Sequence, residues 1–127
     1  MIDIDKQINY WINNADSDFE TAEFLISEKN KILHGLFFCH LCIEKVLKAH
    51  VTKNLNDIPP RSHDLLYLLN KTLIELDKDD LVFCGILMKY QLHGRYPEYN
   101  PEIPDYHLAL SYLNRTKKLK EWIKSKL

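Results

Sequence analysis

Three observations in the sequence predict an all-α fold, an antiparallel up-and-down bundle of about five helices. Apolar residues recur at spacings of three and four along most of the chain. No segment alternates apolar and polar residues as a half-buried strand does, and the hairpin dipeptides Asn-Gly and Asp-Gly are absent. Only 3 of the 127 residues are Gly, whereas Leu and Lys, which favour helices, are abundant.

The first two predicted helices are long. The first runs from about Asp3 to Ser27 and carries an apolar stripe with acidic residues between. The second runs from about Ile32 to Lys53 and is apolar on more than one face, which predicts a central position. A connection of a few residues predicts that the two form an antiparallel hairpin. On the polar strip of the second helix, Glu44 and Lys48 stand four residues apart in the order that favours an ion pair.

The third predicted helix follows a proline pair. Pro59-Pro60 ends the preceding connection, because proline removes a backbone donor and biases the residue before it away from the helix. Ser62 is the predicted N-cap. Leucines at helical spacing then continue to Leu76, and Asp64 supplies the acid that the first turn of a helix prefers.

Two further helices complete the predicted bundle. Asp77 is the expected cap of a fourth helix over about Lys78 to His93, which Gly94 and a proline-rich loop should end. The fifth begins near Asp105 and carries a stripe from Ala109 to Ile123, with lysines on the opposite side.

Length and composition indicate one domain over residues 1–127. With 46% apolar residues the chain can bury a core without disulfides or metals. It does not begin like a signal peptide, and Glu44, Lys45 and Lys48 interrupt its longest apolar stretch, so we expect a cytoplasmic protein without a membrane span. The odd number of cysteines, three, suits reduced thiols.

The net charge of −1 argues against a general nucleic-acid coat. The charges are nevertheless uneven, since seven acids stand against two lysines in residues 1–30 and six basic residues against one acid in residues 115–127. If the first and last helices are neighbours, these charges form surface pairs. If the basic end is open, it could meet RNA phosphates or an acidic partner.

Arg95-Tyr96-Pro97 is the first candidate site. It follows the fourth helix, and three of the five prolines lie between Pro97 and Pro104. A guanidinium is a planar fork of donors for phosphate or carboxylate, and an adjacent phenol offers a stacking face, which together point to an anionic ligand. The alternative is that Arg95 caps the carbonyls of a helix end and Tyr96 packs under the loop.

His63-Asp64 is the second candidate. It lies at a predicted helix start, where backbone N–H groups attract anions, and Arg61 is nearby. His63 could donate to a phosphate, to a base edge or only to Asp64, and the alternative role is to order the turn.

Cys39-His40-Leu41-Cys42 superficially suggests half of a zinc site. No second pair of ligands follows, so ordinary burial in an apolar helix is the favoured interpretation. The sequence also contains no His-Glu-x-x-His pattern, glycine-rich phosphate loop or nucleophile elbow. We therefore expect neither a metal nor a cofactor.

The order of several short strings resembles the HEPN domain family over nearly the whole chain. They are Trp11 with two alanines in the first helix, the segment 38–49 in the second, Ser62-His63-Asp64-Leu65, and Arg95-Tyr96-Pro97. The resemblance implies an all-α bundle that commonly dimerises and is often paired with a minimal nucleotidyltransferase in a toxin–antitoxin-like system. It also implies a nucleotide or RNA ligand.

The ribonuclease motif that many HEPN members share, an Arg followed four to six residues later by His, is missing. Arg61 meets His63 too soon, Arg95 reaches the next histidine only at His107, and no histidine follows Arg115. We therefore expect a binding module without catalysis. The expected ligand-binding residues are His63, Asp64, Arg95, Tyr96, Lys45 and Lys48. The alternative is a metal-independent endoribonuclease that uses His63 and Arg95.

Overall fold

The computed structural model describes residues 2–95 and 102–127, with side chains as far as Gln91 in the first of these ranges. Within them the chain forms five helices and no strand, which confirms the predicted all-α fold. The helices are α1 (Ile4–Ser27), α2 (Ile32–Leu55), α3 (Leu65–Asn70), α4 (Lys78–Arg95) and α5 (Tyr106–Ser125). In this part of the chain no helix is both long enough and apolar enough to cross a membrane.

Helix α2 is central, as its apolar faces predict, and it contacts each of the other four helices. Its contact with α1 is the most extensive in the molecule and depends on Gly35. A Cβ at Gly35 would collide with Cγ1 of Ile26 and would lie 3.2 Å from the carbonyl oxygen of Ala22. The missing side chain therefore sets how closely α1 and α2 approach.

Aspartates cap four of the five described helices, whereas α2 begins after Lys31 without a side-chain cap. The carboxylate of Asp3 accepts the N–H of Lys6 at 3.1 Å, and that of Asp105 accepts the N–H of Leu108 at 2.8 Å. Asp77 accepts the N–H of Asp80 at 2.8 Å, which confirms its predicted capping role. Sequence reasoning therefore located the starts of α1, α4 and α5 within a residue or two.

The predicted third helix is wrong at both ends. Asp64 is the N-cap and accepts the N–H groups of Leu66 and Tyr67 at 3.0 and 3.1 Å, whereas the Ser62 hydroxyl accepts the N–H of Asp64 itself at 3.1 Å. The helix then ends at Asn70 rather than Leu76, because the Thr72 hydroxyl and N–H both donate to the carbonyl of Leu69. The serine thus orders the turn before the helix, and α3 has six residues.

The expected end of the fourth helix is also corrected, since α4 continues through Gly94 to Arg95. Glycine is a poor helix former by about 1 kcal/mol relative to alanine, but it does not forbid helical backbone. A single glycine therefore marks a helix end less reliably than proline does.

The first and last helices are neighbours, and their charges pair. Lys120 and Lys124 of α5 lie 2.9 and 3.0 Å from the carboxylate of Asp16 in α1. Burial alone would raise the pKa of Asp16, but the hydrogen bonds and charges of both lysines outweigh it and lower that pKa. For these two lysines the structure supports helix pairing rather than an open basic face.

Candidate functional site

A cluster around the Glu44 carboxylate joins α2 to the turn before α3. Nδ1 of His63 lies 3.0 Å from Oε1 of Glu44, and Nζ of Lys48 lies 3.0 Å from Oε2. The Glu44 and Lys48 side chains are only 4% and 8% exposed, whereas that of His63 is 45% exposed. The predicted Glu44–Lys48 pair is thus confirmed, and it lies beneath an accessible imidazole.

These contacts fix which nitrogen of neutral His63 carries the proton. Glu44 forms an ion pair with Lys48, and a carboxylate can only accept hydrogen bonds. Nδ1 of His63 must therefore donate, so that Nε2 carries the lone pair of the neutral ring. A protonated ring would keep the contact with Glu44 and donate from Nε2 as well.

His40 also fixes the turn before α3, a role that was not predicted from the sequence. It has no exposed surface, and its Nε2 lies 2.9 Å from the backbone carbonyl of His63, to which it must donate because a carbonyl only accepts. Its Nδ1 lies 3.7 Å from Oε1 of Glu44. The backbone and side chain of His63 are thus both attached to α2. The signal in the sequence was the spacing of His40, Glu44 and Lys48, which places the three on one helix face.

An aromatic pair from α1 adjoins the cluster. Nζ of Lys48 lies 5.3 Å from the ring centroid of Trp11, within the range of a cation–π contact. The Tyr10 ring meets Trp11 edge to face at a centroid distance of 5.1 Å and is 55% exposed. Lys48 therefore connects the carboxylate of Glu44 to the aromatic surface of α1.

Lys45, the other predicted lysine, faces a different partner. Its Nζ lies 2.7 Å from Oδ2 of Asp18, which is only 9% exposed. Burial raises the pKa of Asp18, although the Lys45 charge and hydrogen bond act in the opposite direction. The structure thus places Lys45 in an ion pair between α1 and α2, whereas Lys48 and His63 share Glu44.

Asp64 lies beside the cluster but serves α3. Its carboxylate accepts two N–H groups at the start of that helix, and the partner of the His63 ring is Glu44. The proposed attraction of an anion to those same N–H groups is therefore opposed by a carboxylate that already satisfies them.

Arg95 and Tyr96 are the remaining predicted ligand-binding residues. Arg95 is the last residue of α4, its side chain lies outside the described part of the structure, and Tyr96 and Pro97 lie outside it entirely. The expectation that Arg95 and His63 contribute to one site stays a prediction.

The cysteines of the Cys39-His40-Leu41-Cys42 segment are packed in the core with no exposed surface. Burial raises the pKa of Cys39 to about 12 and that of Cys42 well above its usual range, so neither is a reactive thiolate at neutral pH. Among the side chains that the structure describes, no group of three His, Cys, Asp or Glu residues could hold a metal ion. These cysteines therefore act as small apolar core residues.

Comparison with known proteins gives one result. The family model described as HEPN domain matches residues 8–126. No curated protein and no solved structure matches the chain. At the level of the family, the match supports a nucleotide- or RNA-related module, and HEPN domains generally act as dimers and bind RNA. Because the match covers nearly every residue and agrees with the all-helical fold, the chain belongs to the HEPN domain family.

Proposed function

We propose that this chain is a single-domain, non-catalytic module that binds the phosphate of a nucleotide or of RNA at His63. The observation that carries the proposal is the imidazole of His63, 45% exposed and held through Nδ1 by the buried carboxylate of Glu44. A ring held in this way presents Nε2 in a defined direction, so that little side-chain entropy is lost on binding. When protonated, the ring donates from Nε2 to a phosphate oxygen.

The other predicted residues have different roles in the proposal. Lys48 pairs with Glu44, and Lys45 pairs with Asp18 of α1, so that both act through the framework rather than on the ligand. Arg95 supplies a guanidinium fork for the phosphate, and Tyr96 a flat face beside it. Asp64 orders the turn that carries His63 by capping α3.

The direct test is calorimetric titration of AMP and of a short RNA into the folded protein. We expect His63→Ala to weaken binding roughly 10- to 150-fold, as removal of a hydrogen bond to a charged group does. The matched control is His107→Ala, which removes another exposed imidazole, in the first turn of α5. Equal affinities of the original protein and His63→Ala would refute the proposal.

Arg95→Ala tests the second predicted contact separately. It should weaken binding of the same ligands while leaving the melting temperature unchanged. If both affinity and folding are unaltered by this change, Arg95 is not part of the site, and His63 must act without it.

We further propose that the module works as a cytoplasmic homodimer paired with a nucleotidyltransferase, in a toxin–antitoxin-like system. The support is the family match together with three free cysteines, which suit a reducing compartment. Co-purification with the product of a neighbouring nucleotidyltransferase gene, and sedimentation of the free protein as a dimer, are the expected results. A monomer that captures no such partner would contradict this pairing.

One observation favours a second candidate function, a metal-independent endoribonuclease. A carboxylate that orients an imidazole through Nδ1 leaves Nε2 suited to take a proton from a 2′-hydroxyl. The test is incubation of labelled RNA with the protein in chelator. Cleavage that is lost in both His63→Ala and Glu44→Gln would establish this function. RNA that stays intact would rule it out and leave binding as the proposed function.

A further inference from the structure

We propose that the site extends onto α1, where Tyr10 stacks on a nucleobase whose attached phosphate is bound at His63. This inference rests on the proposed function and adds the ligand class, namely an unpaired base carried by a mononucleotide or by single-stranded RNA. Tyr10 is 55% exposed and packs edge to face on Trp11 at 5.1 Å. An exposed ring supported from one side offers its face to a base at little entropic cost.

A series of contacts connects the imidazole of His63 to the ring of Tyr10. His63 meets Oε1 of Glu44 at 3.0 Å, and Lys48 meets Oε2 at 3.0 Å. Nζ of Lys48 then lies 5.3 Å from the centroid of Trp11. The aromatic pair and the imidazole thus adjoin the same buried Glu44–Lys48 pair, the first from α1 and the second from the turn before α3.

Charge balance explains why such a ligand needs stacking. Glu44 is paired with Lys48, and Asp18 with Lys45. These described neighbours therefore contribute no excess positive charge to attract a polyanion, although phosphate attraction dominates the affinity of most nucleic-acid-binding proteins. An aromatic face supplies affinity that does not depend on charge and tolerates any base.

The nature of Trp11 agrees with a role beyond packing. Its Nε1 is buried and finds no hydrogen-bond partner in the described part of the chain. An unpaired buried donor costs stability that a phenylalanine would not cost. The indole does, however, contact both the Lys48 ammonium and the Tyr10 ring.

The test compares two aromatic residues of the same helix. Tyr10→Ala should weaken binding of AMP and of single-stranded RNA about 5- to 140-fold, the loss expected for one stacked base. Tyr10→Phe should retain affinity, because the ring face remains. The matched control is Phe24→Ala, since Phe24 is 52% exposed on α1 but packs with Lys29 instead of the Glu44 cluster. All three variants should melt like the original protein, as exposed positions allow.

Fluorescence provides a second readout. The chain has two tryptophans, Trp11 and Trp122, so Trp122→Phe leaves Trp11 as the reporter beside the proposed base. AMP and single-stranded RNA should change its emission, and duplex RNA, whose bases are already stacked, should not.

The outcomes separate this inference from the proposed function. If binding depends on His63 but Tyr10→Ala binds like Phe24→Ala, the phosphate site stands and the stacking face is wrong. Duplex RNA that binds as tightly as the single strand would also overturn the inference. Binding of AMP alone identifies a mononucleotide ligand, whereas binding of the single strand alone identifies RNA, and either result supports an unpaired base. If the original protein binds neither AMP nor RNA, both proposals are wrong.

Discussion

At the scale of single residues, the proposed site depends most on Glu44. Its carboxylate is 4% exposed, pairs with Lys48 and holds His63. A buried charge of this kind is costly when one partner is removed, and less so when both are replaced together. Stability measurements can therefore reveal whether the cluster is formed in solution.

Glu44→Gln should lower the free energy of unfolding by about 3 kcal/mol, because it leaves the Lys48 ammonium buried without its counter-charge. Urea unfolding at neutral pH measures the change. The control is Lys48→Met, alone and combined with Glu44→Gln. The double variant should lose clearly less than the sum of the two single losses, since it removes both charges. Additive losses would show that the pair does not form.

Asp16 provides a pH test of the α1–α5 contact. Its pKa is lowered in the folded protein, so its contribution to stability is present above the ordinary value of 3.8 and is lost as the pH falls through the lower folded value. Asp16→Asn should therefore destabilise the protein at pH 7, with a difference that shrinks below pH 3.8. A difference that stays constant with pH would contradict the pairing with Lys120 and Lys124.

At the scale of helices, substitution of two glycines in helical backbone should change stability in opposite directions. Gly35 lies against Ile26 at the α1–α2 contact, whereas a Cβ at Gly85 would meet nothing within 4 Å. Gly85→Ala should stabilise the protein by up to about 1 kcal/mol through helix propensity. Gly35→Ala should instead destabilise it by about 1–3 kcal/mol, because the helices must separate. Thermal unfolding of the two variants checks both signs. Stabilisation by Gly35→Ala would show that α1 and α2 pack less closely than described.

The helices also show what the sequence could and could not predict. Periodicity located α1, α2 and α5 well, and the Asp77 cap located the start of α4, because those signals are local. The length of α3 was not predictable from the sequence. The leucines continue the apolar pattern up to Leu76, whereas α3 ends at Asn70, where the Thr72 hydroxyl donates to the carbonyl of Leu69. Leu73, beyond that end, is 85% exposed.

Of the candidate site, too, only part could be predicted from the sequence. The Glu44–Lys48 pair followed from helical spacing. The sequence also pointed to the turn at His63, and the structure places that imidazole against Glu44. The bond between Glu44 and His63 spans 19 residues of sequence, and His40 supports the same turn across 23. Such long-range contacts depend on how α2 meets the connection to α3, and no local pattern encodes that meeting.

At the scale of the whole molecule, the net charge is −1. Four lysines, Lys45, Lys48, Lys120 and Lys124, form ion pairs within the bundle. We therefore expect RNA affinity to fall only shallowly with salt, with a slope of about −1 to −2 in log K against log salt. Binding isotherms at several salt concentrations measure this slope. A slope steeper than about −4 would indicate a broad basic face and contradict the account.

The central claim is that Glu44 fixes His63 for a ligand, and nitrogen NMR of the histidine rings tests it most directly. At a pH high enough to keep the ring neutral, the signal that disappears in His63→Ala should report a proton on Nδ1. At a lower pH, where the ring is protonated, added AMP should shift its Nε2 resonance. A proton on Nε2 instead, or a ring unaffected by AMP, would contradict the account.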